Sequence, residues 1–286
     1  MNIFTSRKNR VIVNTVPHSG THLVSSVLDM ISFSHAKYFN WRSLSFDKIF
    51  LNWQTSSLSN NKNLDETDRK FKISVASPQL VREDLVELIL NKIKNNQYLL
   101  SHTPHSKLFE ELLINLGFLG LSVIRDPRDM CLSMINHIKQ RPHHYAYDLL
   151  FNKMNDRQER LFQIIQGFNL NVNDSIRNFG NMEKMVQSIL PWGQVDNYLL
   201  LKFEDLVGPQ GGGTINEQLQ SINKIINHLN ACNFDAEEIA ENIFGKSTTF
   251  RKGKKSAWKT ELNFNEKEIF KKYDDFIISL GYEPTV

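Results

Sequence analysis

Three segments of the chain carry residues suited to holding an anion, and a fourth carries a candidate base. In VIVNTVPHSGTHLVSSVLDM (11–30), Pro17-His18-Ser19-Gly20-Thr21-His22 joins an apolar strand to an apolar-striped helix. Backbone N–H groups around Ser19, Gly20, Thr21 and His22 would point at an anion on the positive end of that helix. Gly20 permits close backbone approach, and Ser19 and Thr21 add hydroxyl donors. An ordinary strand–turn–helix joint with Ser/Thr capping accounts for the same residues without a ligand. A nucleoside-triphosphate loop would place a lysine beside the Ser/Thr, whereas the chargeable side chains here are His18 and His22.

The second segment, LGLSVIRDPRDMCLSMINHIK (119–139), repeats the strand-to-helix form. Arg125 ends the strand, Asp126 can cap the helix and Pro127 fits its first turn. Ser133 lies about 9 Å further along the axis at ~1.5 Å per residue, so an anion touching both Arg125 and Ser133 would lie along the helix flank. Arg128 and Asp129 read as a solvated surface pair. In TTFRKGKKSAWK (248–259), Arg251, Lys252, Lys254 and Lys255 surround Gly253; such a run is usually a solvated loop, yet charge and glycine amide together also suit a dianionic phosphate. In YLLSHTPHSKLFEEL (98–112), a strand delivers His102 to the carboxyl edge of a sheet, a position suited to general base work as well as to a structural histidine. His102 and His105 lack metal spacing, and His143 and His144 read as exposed loop residues.

These segments need a sheet to position them. Short apolar runs at Val11–Thr15, Ile73–Val75, Tyr98–Leu100, Leu119–Ile124 and Tyr198–Leu201 alternate with helix-period stretches, including a long helical middle from about 148 to 189. That alternation predicts a three-layer, doubly wound α/β fold on a parallel sheet, with ligands at the carboxyl ends of the strands. At 286 residues and 41% hydrophobic, the chain reads as one domain over 1–286. The Ser/Asn-rich stretch 54–70 suits either a mobile loop over an acceptor pocket or a plain insertion, and GPQGGG (208–213) reads as a surface loop.

Net charge is +3, too weak a field for a nucleic-acid or bulk-membrane binder. Cys131 and Cys232 lack disulfide or metal-ligand spacing, and no apolar run reaches the ~20 residues of a membrane span. A cytoplasmic protein is expected.

Taken together, the segments resemble the cytosolic-type sulfotransferases that use 3′-phosphoadenosine 5′-phosphosulfate (PAPS). VPHSGTHL is similar to that family's 5′-phosphosulfate loop, commonly Pro-Lys-Ser-Gly-Thr-Thr-Trp. VIRDPRDMCLSMINH resembles its 3′-phosphate segment, FRKGKKSAWK its Arg-Lys-Gly…Trp-Lys signature, SHTP its Thr-His-Leu-Pro, and LLLKFEDL (199–206) its strand ending in Phe-Tyr-Glu-Asp-Leu. The matches run in family order from about residue 11 to 270.

The resemblance implies a P-loop nucleotide-kinase-like sulfotransferase fold and PAPS as co-substrate, with no metal required. His18, Ser19, Gly20, Thr21 and His22 would hold the 5′-phosphosulfate; Arg125, Ser133, Arg251, Lys252 and Gly253 the 3′-phosphate; His102 would be the catalytic base. Phe203 stands where the family has a tyrosine in the donor and acceptor region. Departures are equally specific: the loop lysine is His18, which would then act in catalysis by donating to the departing 5′-phosphate. The loop tryptophan is Leu23, leaving Phe244 as the candidate adenine stack. The dimer motif is reduced to Lys259, Asn263, Phe264 and Glu268, giving a monomer or weak homodimer.

The implied partner is a small-molecule acceptor, its pocket formed near residues 37–53 and 140–151 with Tyr38, Phe39, Trp41, Tyr145 and Tyr147 as walls. Small bacterial metabolite sulfotransferases are the nearest type, and cyanobacterial enzymes that sulfate saxitoxin-type alkaloids a specific instance; Asp148 could then receive a guanidinium group. Two rivals stand beside this reading: a P-loop kinase using ATP, and a nucleotide-binding protein without catalysis.

Overall fold

The computed structural model describes residues 9–36, 69–172, 175–231, 233–244 and 253–286. Arg251, Lys252, Cys232, Tyr38, Phe39, Trp41 and nearly all of the 54–70 stretch lie outside them. Along the chain come strands β1 (Arg10–Thr15), β2 (Ser34–His35), β3 (Lys70–Ile73), β4 (Gln79–Arg82), β5 (Gln97–Ser101), β6 (Phe118–Ile124), β7 (Phe168–Val172), β8 (Ser175–Phe179) and β9 (Tyr198–Lys202). The main helices are α1 (Thr21–Met30), α2 (Glu83–Leu90), α3 (Lys107–Asn115), α4 (Pro127–Lys139), α5 (Arg157–Gln166), α6 (Met182–Ile189), α7 (Ile215–His228) and α8 (Ala236–Asn242).

A five-stranded sheet in the order β2-β5-β1-β6-β9 is parallel throughout, with Val13 opposite Leu100 on one side and Leu121 on the other. The apolar run of β1 is buried on both faces, as a central parallel strand requires. Ile12 feeds a core cluster with Val86 of α2, Phe109 of α3, Met134 of α4 and Ile164 of α5. Val11 and Val13 feed the opposite cluster with Val24 and Leu28 of α1, Ile222 of α7 and Ile239 of α8. This is the expected three-layer α/β architecture. The connection after β1 leads toward the β5 side of the sheet and the one after β6 toward β9, so their loops diverge and leave a crevice at the carboxyl ends.

The structure corrects several expectations. The Ile73–Val75 run is not a strand of the parallel sheet: Lys70–Ile73 pairs antiparallel with Gln79–Arg82. The fifth parallel strand is instead the two-residue β2. The helical middle is broken, because Gly167 at φ 75 stops α5 and the alternating FNLNV segment pairs with Ser175–Phe179 as a hairpin. The GPQGGG segment is more than a surface loop: Gly211 is buried and its carbonyl accepts from Lys255 N–H at 2.8 Å, pinning the basic signature segment.

Candidate active site

The β1–α1 joint turns on two left-handed residues, His18 at φ 68 and Gly20 at φ 106. Gly20 is the N-cap of α1 and no side chain caps that helix. Ser19 N–H is turned inward to Val16 O at 3.2 Å, so it is unavailable to an anion, whereas the Gly20 and Thr21 amides have no backbone acceptor among the described residues. The Ser19 hydroxyl is fully buried and lacks a partner among the described residues. A buried orphan donor beside an uncapped helix start is an arrangement suited to an anionic oxygen. Thr21 Oγ1 lies 2.6 Å from Thr15 Oγ1, and His22 is exposed on the first turn.

A Cβ on Gly20 would come within 2.8 Å of the Phe203 ring. The Arg125 guanidinium lies 4.3 Å above the same ring. Phe203 is 3% exposed, so it supports the loop and Arg125 from beneath. Arg125 donates to His18 O at 3.2 Å and Lys254 O at 3.0 Å, and its Nε is a second buried donor without a partner among the described residues. It thereby joins the loop, the end of β6 and the basic signature segment, where Gly253 has φ 49. Ser133 and His137 are four residues apart on α4 and share a face; His137 contacts His18, which places that face toward the loop.

His102, just past β5, is fixed by a clamp that sequence analysis missed. Buried Asn14 donates to Thr103 O and accepts from Thr103 N–H, both at 2.8 Å. His102 Nδ1 then sits 2.7 Å from Thr15 O and 3.2 Å from Thr15 Oγ1. A carbonyl only accepts, so Nδ1 carries a proton, and in the neutral ring the lone pair is then on Nε2.

Other side chains entered the site unannounced. His137 meets His18 edge-on with ring centroids 4.7 Å apart, and His144 lies 6.1 Å from His137 while stacking on Tyr145. His144 is thus half-buried beside the loop, not an exposed residue, whereas His143 is exposed as expected. Burial first, then His137, His102, Arg125 and His144, holds His18 well below the usual histidine range.

Arg128 and Asp129 are not surface charges. Arg128 is fully buried, makes paired bonds to Asp126 at 2.9 and 2.8 Å and lies 3.7 Å over the Trp258 ring. Asp129 accepts Trp258 N–H at 2.8 Å. Both anchor the C-terminal segment behind Arg125. Asp148 is exposed and paired with Lys153 at 2.9 Å. Phe244 is half-buried against Gly211, next to the signature segment. A cavity of about 560 Å³ lies at Pro104, two residues past His102, and neither His102 nor the loop lines it. Among the described residues no group of three His, Cys, Asp or Glu is arranged to hold a metal, and no helix is long and apolar enough to cross a membrane.

Residues 8–276 match the sequence profile of the sulfotransferase domain. No curated protein sequence matches the chain. Among solved structures, a mouse sulfotransferase complexed with PAP is similar at TM-score 0.57 and 14% identity, over 96% of this chain and 86% of that one. A retinol dehydratase in a complex with retinol and PAP is similar at TM-score 0.50 and 13% identity, over 98% and 83% of the two chains. At such identities the likeness is one of fold.

Proposed function

The chain belongs to the sulfotransferase domain family, and on that premise we propose that it moves the sulfuryl group of PAPS to a hydroxyl or amine of a small-molecule acceptor. The observation that carries the reading is the uncapped, glycine-started α1 with the Ser19 hydroxyl buried and orphaned beside it, and with Thr21 Oγ1 of that helix 2.6 Å from Thr15, the residue His102 Nδ1 contacts. The residues present fit the donor. Gly20 and Thr21 amides and the Ser19 hydroxyl would hold the 5′-phosphosulfate. Arg125, Ser133 and Gly253 would hold the 3′-phosphate, joined by Arg251 and Lys252.

Sulfuryl transfer asks for alignment of the attacking and leaving oxygens and for stabilisation of charge on the leaving group. His102 Nε2 takes the acceptor's proton as its oxygen or nitrogen bonds to sulfur. The sulfur–oxygen bond to the 5′-phosphate breaks in line, and His18 donates to the phosphate oxygen left behind, in place of a lysine. No step calls on a metal. We infer a cytoplasmic enzyme working as a monomer or weak homodimer.

The kinase reading finds no Lys-Ser/Thr step in the loop, and the residue directly after β6 is Arg125 where a metal-binding carboxylate would stand. The test is an acceptor screen with labelled PAPS over phenols, alcohols, amines and a saxitoxin-type alkaloid. Wild type yields a sulfated product and His102→Ala none. Undiminished transfer by the variant would misassign the base, and tight nucleotide binding with no transfer to any acceptor would favour the non-catalytic protein.

A further inference from the structure

Resting on the reading of the β1–α1 loop as the donor site, we propose that His137, braced by Arg141, is a positioning residue for His18. It holds that ring aimed and uncharged until the donor's anion arrives and His18 takes up one proton from solvent. Three geometric facts carry this.

First, Arg141 Nη1 lies 3.0 Å from His137 Nδ1. A guanidinium has no lone pair to give, so His137 accepts at Nδ1 and its proton sits on Nε2. A second proton on His137 would set an N–H against a cation, so this contact favours the neutral ring. Second, His144 Nδ1 accepts Ala146 N–H at 3.2 Å, so its proton likewise sits on Nε2. Third, neither ring nitrogen of His18 is engaged by a hydrogen bond among the described residues, and the His137 ring covers its side at 4.7 Å and 70°. His18 is thus the ring of these three whose two nitrogens are both outside the hydrogen bonds of the described residues.

Among the described residues the fixed charge beside His18 is the cation of Arg125, past β6, which donates to His18 O at 3.2 Å; the rings of His137 on α4, His144 beyond it and His102 past β5 surround it, Arg141 stands behind His137, and the carboxylate of Asp129 lies behind Arg125, 3.9 Å from its guanidinium. An anion a few ångströms away reverses that balance in favour of the imidazolium. A lysine in the loop would be charged beforehand; His18 acquires its charge together with the ligand. By linkage, donor binding and proton uptake become one event.

The test uses PAP, the product nucleotide, and calorimetry at pH 7.0 in buffers of differing ionisation enthalpy, which counts protons taken up on binding. Wild type should take up about one proton per PAP bound and His18→Gln none. NMR titration of His18 supplies the second readout. His137→Ala opens its side to water and should move the His18 midpoint upward and reduce the uptake, while His137→Phe, which keeps the cover, should preserve the wild-type titration. Binding of PAP by wild type without proton uptake overturns this inference alone, as does an unmoved His18 midpoint in His137→Ala. Failure of PAP to bind at all sinks the donor-site reading, and this inference with it.

Discussion

His102 Nδ1 lies 2.7 Å from the carbonyl oxygen of Thr15, and that single contact decides which ring nitrogen can act as a base. The contact depends on the paired bonds between Asn14 and Thr103, which hold the segment after β5 against the end of β1. Asn14→Ala leaves a buried N–H and C=O of Thr103 short of a partner, although Trp192 Nε1 still donates to that carbonyl at 3.2 Å. The expected cost is about 2 kcal/mol in urea unfolding, where each orphaned group counts ~1–3 kcal/mol. Single-turnover transfer should fall by about tenfold or more as His102 loses its aim, with PAP affinity nearly unchanged.

Gly20 cannot become alanine without cost, because its φ of 106 and the 2.8 Å approach to Phe203 both exclude a Cβ. Gly20→Ala should weaken PAP binding and destabilise the fold by roughly 1–3 kcal/mol. Trimming the opposing ring removes the clash but not the backbone strain. Gly20→Ala/Phe203→Leu should therefore recover part of the loss in a double-mutant cycle, and strict additivity would show that the two do not meet.

Asp129 is raised from 3.8 to about 6, by burial first, against the pull of Arg125. The folded protein thus binds this proton more tightly than the unfolded chain does. Stability contributed here is greatest below pH 4 and declines as pH rises to about 6, then stays level, by roughly 3 kcal/mol at most. Asp129→Asn should flatten that decline when urea midpoints of the two proteins are compared from pH 4 to 7. An identical pH dependence in both would remove Asp129 as its source.

Arg128 balances Asp126 in a fully buried pair. Arg128→Met should cost about 3–5 kcal/mol by leaving a carboxylate uncompensated. Arg128→Lys should not restore wild-type stability, since an ammonium can neither make the paired bonds to Asp126 nor lie flat on Trp258.

Local pattern made the central elements legible. The unbroken Val11–Val13 run, the glycine after it and the strands ending in His102 and Arg125 are each readable within a dozen residues. What stayed hidden is set by partners far along the chain. Arg128 and Asp129 look solvated until Trp258 arrives from 129 residues away to take the Asp129 bond, and Asn14 looks like any strand residue until Thr103 meets it. The β7–β8 hairpin shows the period of two in FNLNV, but asparagine at its exposed positions is a poor strand former, so the segment reads with the helices around it. One signal for His137 was available: its i,i+4 spacing from Ser133 puts it on the face assigned to the nucleotide.

If the β1–α1 joint and Arg125 hold the 5′- and 3′-phosphorylated ends of an adenosine nucleotide, equilibrium binding of PAP against ATP will show it. Wild type should bind PAP without any need for Mg²⁺ and in clear preference to ATP, and Arg125→Met should weaken PAP by about tenfold or more. Mg²⁺-dependent binding of ATP in preference to PAP, indifferent to Arg125→Met, would contradict the account.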